Sequence, residues 1–307
     1  MSITDLLGIL GGLSLFLYGM NVMSEGLEEM MSHRLEIFLM HLTDHKLKAI
    51  CLGMLLTAIM QSSSAMTVIL ISFLNVGLLP LQNAIWVMMG ANIGTTITGM
   101  MIAFQIGAVA PLLAFIGTLL ILVHCSRYGK VILGLGLLFM GLEMMSLSLE
   151  PLKNSSFFLA FTQSFSHPFL GICIGAIFTA IIQSSSAAIG ILENLAKVGL
   201  VSFHQSVFFI FGFDIGTCIT AFIASLSGTT QAKKLALFHV SFNMIGTVFF
   251  TILCYMSPLI EWIEIIIPNQ IMFQIALMHT LFNIGTTILT YFIDEYLIRF
   301  INSLYFQ

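Results

Sequence analysis

Charge is what this chain has least of. Only 8% of its 307 residues are Asp, Glu, Lys or Arg, too few to coat a soluble globule of this length. The net charge of -4 is scattered rather than gathered in runs, which argues against a nucleic-acid or polyanion partner. The five cysteines, Cys51, Cys125, Cys173, Cys218 and Cys254, stand singly in apolar surroundings. With no CxxC or CxxH spacing, neither a zinc site nor a disulfide framework is indicated. No basic stretch precedes the first apolar run and no small-residue cleavage site follows it, so the sequence predicts a first membrane helix there rather than a cleaved leader. There is also no GxSxG elbow to activate a serine nucleophile.

What remains is an apolar sequence, 58% hydrophobic with a mean hydropathy of +1.05, as an integral membrane protein has. Into it are set two nearly identical polar interruptions, TAIMQSSSAMT from Thr57 and TAIIQSSSAAI from Thr179. The offset between Gln61 and Gln183 is 122 residues. It also aligns, without a gap, Gly19 with Gly141, Ser24 with Ser146, Gly77 with Gly199, and GANIGTTIT from Gly90 with GFDIGTCIT from Gly212. The chain is therefore an internal duplication.

Spanning a bilayer takes about 20 apolar residues in a helix. QSSSA divides the stretch 49–75 into halves too short to cross alone, which predicts a re-entrant hairpin with the serines at its tip. The stretch 82–104, interrupted at GANIGTT, and the stretch 107–124 are expected to cross. Three crossings and one hairpin make an odd count, so the second copy should lie upside down relative to the first. The expected fold is an all-α integral membrane protein: an inverted-topology repeat with two re-entrant helical hairpins and broken transmembrane helices. The division is residues 1–125 (hairpin about 49–75), 126–257 (hairpin about 168–198) and a C-terminal segment 258–302, with 303–307 resembling a protease-site remnant. Six spans are expected in the repeats, and two further segments at 235–256 and 271–293. A stretch beginning at Gly26 (GLEEMMSHRLEIFLMHL) suits an interfacial helix. Arg34, Lys46, Lys48, Arg127, Lys130, Lys233, Lys234 and Arg299 fall on one side, Lys153 and Lys197 on the other. The first side is then cytoplasmic, with the N-terminus outside and the C-terminus inside the cell membrane.

Serines that precede a short helix can cap it, and the free N–H groups at its start form an anion site without a basic residue. A lone serine run in a membrane helix serves as packing glue, but duplication in register argues for a site. Gln61, Ser62, Ser63, Ser64, Gln183, Ser184, Ser185 and Ser186, with Asn92 and Thr95, are the candidate anion ligands. Thr96, Asp214 and Thr217, again with Gln61 and Gln183, are the candidate sodium ligands. Thr57, Thr179, Glu193, His239, Asn243, His279 and Asn283 are secondary candidates. For the His–Asn pairs, one turn apart on a helix face, interhelical hydrogen bonding is the expected role.

The doubled QSSS, GANIGTT with GFDIGTC, LFLYGMNVMSEGL with LLFMGLEMMS, and HVSFNMIGT with HTLFNIGTT resemble the type II sodium-phosphate cotransporter family over nearly the whole chain. The resemblance implies sodium-driven symport of inorganic phosphate by alternating access, with Na+ as the co-transported ion and no organic cofactor. A homodimer is an expectation for transporters of this size. Where the family shows NIGT in the second repeat, this chain has Asp214, and Cys218 replaces the counterpart of Thr96. A membrane carboxylate is by default functional, here as a sodium ligand or proton carrier. Alternatives are another oxyanion, coupling to protons, phosphate export, or a channel. An intramembrane serine hydrolase is disfavoured, because a nucleophile needs one activated serine rather than three in each of two copies.

Overall fold

The computed structural model describes residues 3–31, 39, 43–151 and 167–304, whose elements are all helices. In order they are α1 (Ile3–Met31), α2 (Lys46–Met60), α3 (Ser63–Asn75), α4 (Leu81–Ala103), a 3-10 turn (Ile106–Val109) leading into α5 (Ala110–Leu122), α6 (Ser126–Leu149), α7 (Pro168–Ile182), α8 (Ser185–Lys197), α9 (Phe203–Ser225), α10 (Thr230–Met256), α11 (Leu259–Ile266) and α12 (Ile271–Leu304).

Six of the described helices, α1, α4, α6, α9, α10 and α12, are long and apolar enough to cross a membrane. The expected count of six spans plus two segments is thereby corrected, since α10 and α12 are among the six. The stretch Ile106–Leu122, expected as a crossing, is apolar but shorter, and Gln105 turns the chain before it with a φ of 52°. GLEEMM continues α1 instead of opening a separate interfacial helix, and most of that predicted helix lies outside the described residues. So does most of the 303–307 remnant, of which Ser303 and Leu304 end α12.

Glycine decides how the helices meet. On α1 and α6, a Cβ added to Gly12 would lie 2.7 Å from the Gly141 carbonyl oxygen, and one on Gly19 would lie 2.7 Å from that of Gly134. Gly12 and Gly134, like Gly19 and Gly141, occupy equivalent places in the two copies, so each contact has an exchanged partner. The α2–α4 and α7–α9 pairs repeat one another directly. A Cβ on Gly90 would meet the Ile50 oxygen at 1.9 Å, and one on Gly212 would meet that of Ile172 at 2.2 Å; Gly94 with Met54 and Gly216 with Ala176 do the same.

These contacts overturn the expectation that GANIGTT and GFDIGTC interrupt their helices. Both α4 and α9 run unbroken through those motifs. Their glycines allow backbone-to-backbone approach to the neighbouring short helix, which any side chain would prevent.

One end of the fold is tied by a polar cluster. Lys46, at the start of α2, reaches the α12 carboxylate of Asp294 at 2.7 Å, bonds the Tyr291 carbonyl and lies 3.9 Å over the Tyr291 ring. The other Asp294 oxygen accepts from the Trp86 indole of α4 at 2.8 Å. The equivalent positions in the second copy, Pro168 and Phe208, cannot make such a cluster.

Candidate functional site

The two QSSS motifs adopt one backbone design. α2 ends on Gln61 in the left-handed region (φ 56°, ψ 21°) and α7 ends on Gln183 likewise (φ 61°, ψ 22°). The next residue is extended: Ser62 accepts from the Ala65 N–H at 3.1 Å and Ser184 from the Ala187 N–H at 3.2 Å, each capping the helix that follows. Glycine would occupy the left-handed position at less cost. A glutamine in both copies is therefore there for its side chain. The short helices begin at Ser63 and Ser185, so two serines of each motif stand in a first turn whose N–H groups lack a preceding carbonyl.

The two tips meet. The Ser64 hydroxyl donates to the Gln183 carbonyl at 3.1 Å across 119 residues of chain. The glutamine side chains differ: Gln61 is buried and its amide oxygen accepts from Thr98 at 2.6 Å, whereas Gln183 is exposed and the equivalent hydroxyl, Thr220, donates to the Thr217 carbonyl of its own helix.

Beneath the tips, α4 and α9 bring their duplicated polar residues to α10 and α12. His239 Nε2 lies 3.4 Å from Asn92 Oδ1, and His279 Nε2 lies 3.4 Å from Asp214 Oδ1. Asn283 donates to Asp214 Oδ2 at 2.8 Å, and Asn243 to the Asp214 carbonyl at 2.9 Å and the Cys218 sulfur at 3.2 Å. Thr247 donates to the Phe211 carbonyl and Thr287 to that of Met89, again equivalent atoms of the two copies. The His–Asn pairs thus make the interhelical hydrogen bonds expected of them. Two flanking threonines, Thr247 and Thr287, and the Gln61 partner Thr98 were not anticipated, although each lies inside a motif quoted for its repetition.

Two kinds of hydroxyl can be separated. Thr95, Thr96 and Thr217 are buried and donate to carbonyls of their own helices at 2.8–3.0 Å, so each presents only oxygen lone pairs elsewhere. The hydroxyls of Ser63, Ser185 and Ser186, also buried, make no hydrogen bond among the described residues and keep a proton to donate. Among the further buried atoms without a partner among the described residues, six come in equivalent pairs, Thr57 and Thr179 Oγ1, His239 and His279 Nδ1, Asn243 and Asn283 Oδ1, while Thr251, Thr286 and Thr290 Oγ1 have no such twin. Glu193, on α8, is wholly buried with neither carboxylate oxygen bonded. No cluster of three or more metal-binding His, Cys, Asp or Glu side chains occurs among the described residues.

A multi-pass helical membrane protein with a duplicated, hydroxyl-rich polar centre is what the geometry defines. The Na+/Pi-cotransporter family matches this sequence twice, at residues 15–147 and 143–280, and the chain belongs to it. It is 35% identical to the protein YqeW of Bacillus subtilis (strain 168) over 280 residues, 89% of this chain and 90% of that one. A Salmonella typhimurium protein provisionally named inorganic phosphate export protein YjbB is 29% identical over 83% of this chain, which spans about half (47%) of that relative's length. A human protein named sodium-dependent phosphate transport protein 2B is 32% identical over 34% of this chain and 16% of its own length. No solved structure matches.

Proposed function

We propose that the chain is a sodium-coupled symporter of inorganic phosphate, working by alternating access between two inverted halves. The observation that carries this reading is the meeting of two identically built QSSS tips through Ser64 and Gln183. α2–α3 and α7–α8 act as re-entrant hairpins, each pair of short helices reversing at a left-handed glutamine. The exchanged Gly12–Gly141 and Gly19–Gly134 contacts support inversion, because a two-fold axis relating two copies produces such reciprocal pairs.

The hydroxyls divide the ligands. Serines with an unused proton, Ser63, Ser185 and Ser186, together with helix-start N–H groups, suit a phosphate oxyanion. Threonines whose proton is already committed offer lone pairs and suit sodium: Thr96 and Thr217, and with them Thr95, which the sequence placed among the anion ligands. Asp214 lies between His279, Asn283 and Asn243, and carries sodium or a proton rather than touching a divalent anion of like charge. With Ile106–Leu122 taken as a seventh, shorter crossing, Lys46, Arg127 and Arg299 fall on one face, the cytoplasmic one, with the N-terminus outside.

The test is uptake of labelled phosphate into proteoliposomes under an inward sodium gradient, compared with potassium and with a proton gradient at equal voltage. Sodium-dependent uptake is expected. A relative named for phosphate export favours a second reading, net efflux, which outward flux from phosphate-loaded vesicles would reveal.

A further inference from the structure

Among the buried differences between the two copies, one outside the tips introduces a carboxylate. Glu193 in α8 is 0% exposed, and its counterpart in α3 is Ile71. The α4 residue against it is Gly99, where an added Cβ would lie 3.2 Å from Glu193 Oε1, 3.0 Å from Ile189 Cγ2 and 3.9 Å from Ala276 Cβ. In the other copy Gly99 corresponds to Ala221, also buried. The Ile71 and Ala221 of the α3–α9 interface thus become Glu193 and Gly99 at the equivalent α8–α4 interface: where the carboxylate enters, the methyl opposite is removed. The space is shaped for that side chain.

Neither Glu193 oxygen has a hydrogen-bond partner among the described residues, so the chain supplies nothing to neutralise a charge there. Of the helices packed on α8, α4 carries no ionisable side chain. α6 brings Glu143, which is paired at 3.4 Å with Lys197; α7 brings Cys173; α9 brings Asp214 and Cys218; and α12 brings His279, which is bonded to Asp214. None of them bonds Glu193.

A cavity opens close to the site. One turn along α8 from Glu193 is Lys197, one turn along α4 from Gly99 is Ile102, and one turn along α12 from Ala276 is Met272. Lys197, Ile102 and Met272 all line a half-open cavity of about 240 Å³, with Gln105, Glu143 and Asn194. The cavity floor therefore lies one helical turn, about 5.4 Å, above the carboxylate seat.

We propose that Glu193 is a proton-binding site, separate from the paired tips and reached through the cavity of Gln105, Glu143 and Lys197. A proton fits better than sodium, which needs several oxygen donors around it. The exchange is one proton between Glu193 and water entering from the cavity, with no other reactant. The site rests on the membrane fold alone; only its coupling to flux rests on phosphate transport.

The experiment is infrared difference spectroscopy of the purified full chain through a pH step, with and without sodium, on the wild type and Glu193→Gln. A protonated-carboxyl band present in the wild type, missing in Glu193→Gln and unmoved by sodium is expected. Identical spectra for the two proteins would overturn the proposal, and collapse of the band on sodium addition at fixed pH would replace the proton with sodium. Should Glu193→Gln fail to fold, Gly99→Ala crowds Oε1 and must shift the band or its midpoint; an unchanged spectrum there is equally fatal. In proteoliposomes, Glu193→Gln should lose the pH dependence of phosphate flux set from the Lys197 side. A band that persists while the chain moves no phosphate would overturn the transport reading and leave the proton site standing.

Discussion

At the residue scale, the site is a matter of which hydroxyls still have a proton to give. On the proposed reading, Ser63→Ala or Ser185→Ala removes a donor to a charged ligand, worth about 1.5–3 kcal/mol, so phosphate uptake should fall about tenfold or more while the protein elutes as a folded species. Ser14→Ala should leave uptake unchanged, because that hydroxyl is spent on the Leu10 carbonyl of its own helix at 2.8 Å. Asp214→Asn should preserve folding, since the amide oxygen can still accept from Asn283 while its NH2 donates to His279 Nε2 in the Nδ1–H tautomer, but should alter the charge moved per cycle or its pH profile in electrical recordings. The serines, Asn92 and Asp214 were legible in the sequence because duplication repeats them at a fixed offset. Thr98 was less so: its bond to Gln61 is made in one copy only, and its counterpart Thr220 turns back on its own helix. Periodicity cannot announce an asymmetric contact.

At the scale of the element, the short helices were legible and the long ones partly misread. A polar QSSS in the middle of an apolar run has to break a helix, and it does so at a left-handed glutamine in both copies. Glycine next to asparagine carries no such compulsion. In GANIGTT the same residue that permits unwinding also permits close packing, and only the presence of α2 against α4 shows which use prevails. Thermal unfolding in detergent should separate the two kinds of glycine. Gly90→Ala drives a methyl to 1.9 Å from a backbone oxygen and should cost about 3 kcal/mol, the upper end for overpacking. Gly77→Ala meets nothing within 4 Å and bears only the strain of its φ of +74°, about 1 kcal/mol.

For the whole molecule, orientation and symmetry are the testable quantities. Cysteine placed at Arg127 should react with an impermeant reagent from the cytoplasmic face, and cysteine at Lys197 from the opposite one; reaction of both from one face would contradict the inverted arrangement. The Lys46–Asp294–Trp86 cluster should matter to stability. Lys46→Met leaves a carboxylate 3% exposed with its ammonium partner gone, at a cost of about 3–5 kcal/mol in unfolding experiments. Replacing Asp294 by Leu in the same chain should recover most of that. The cluster also has no twin, since Pro168 and Phe208 stand where Lys46 and Trp86 would be repeated. Two halves related by a perfect two-fold would make the outward-open and inward-open forms equal in energy, leaving the empty carrier evenly divided between them. On the alternating-access reading, a clasp on one face alone removes that degeneracy: if opening on the Lys46 side parts α2 from α12 it must break the clasp, and the unloaded protein then favours the form with that side shut. The waiting state would be set by one lysine before any ion gradient is applied.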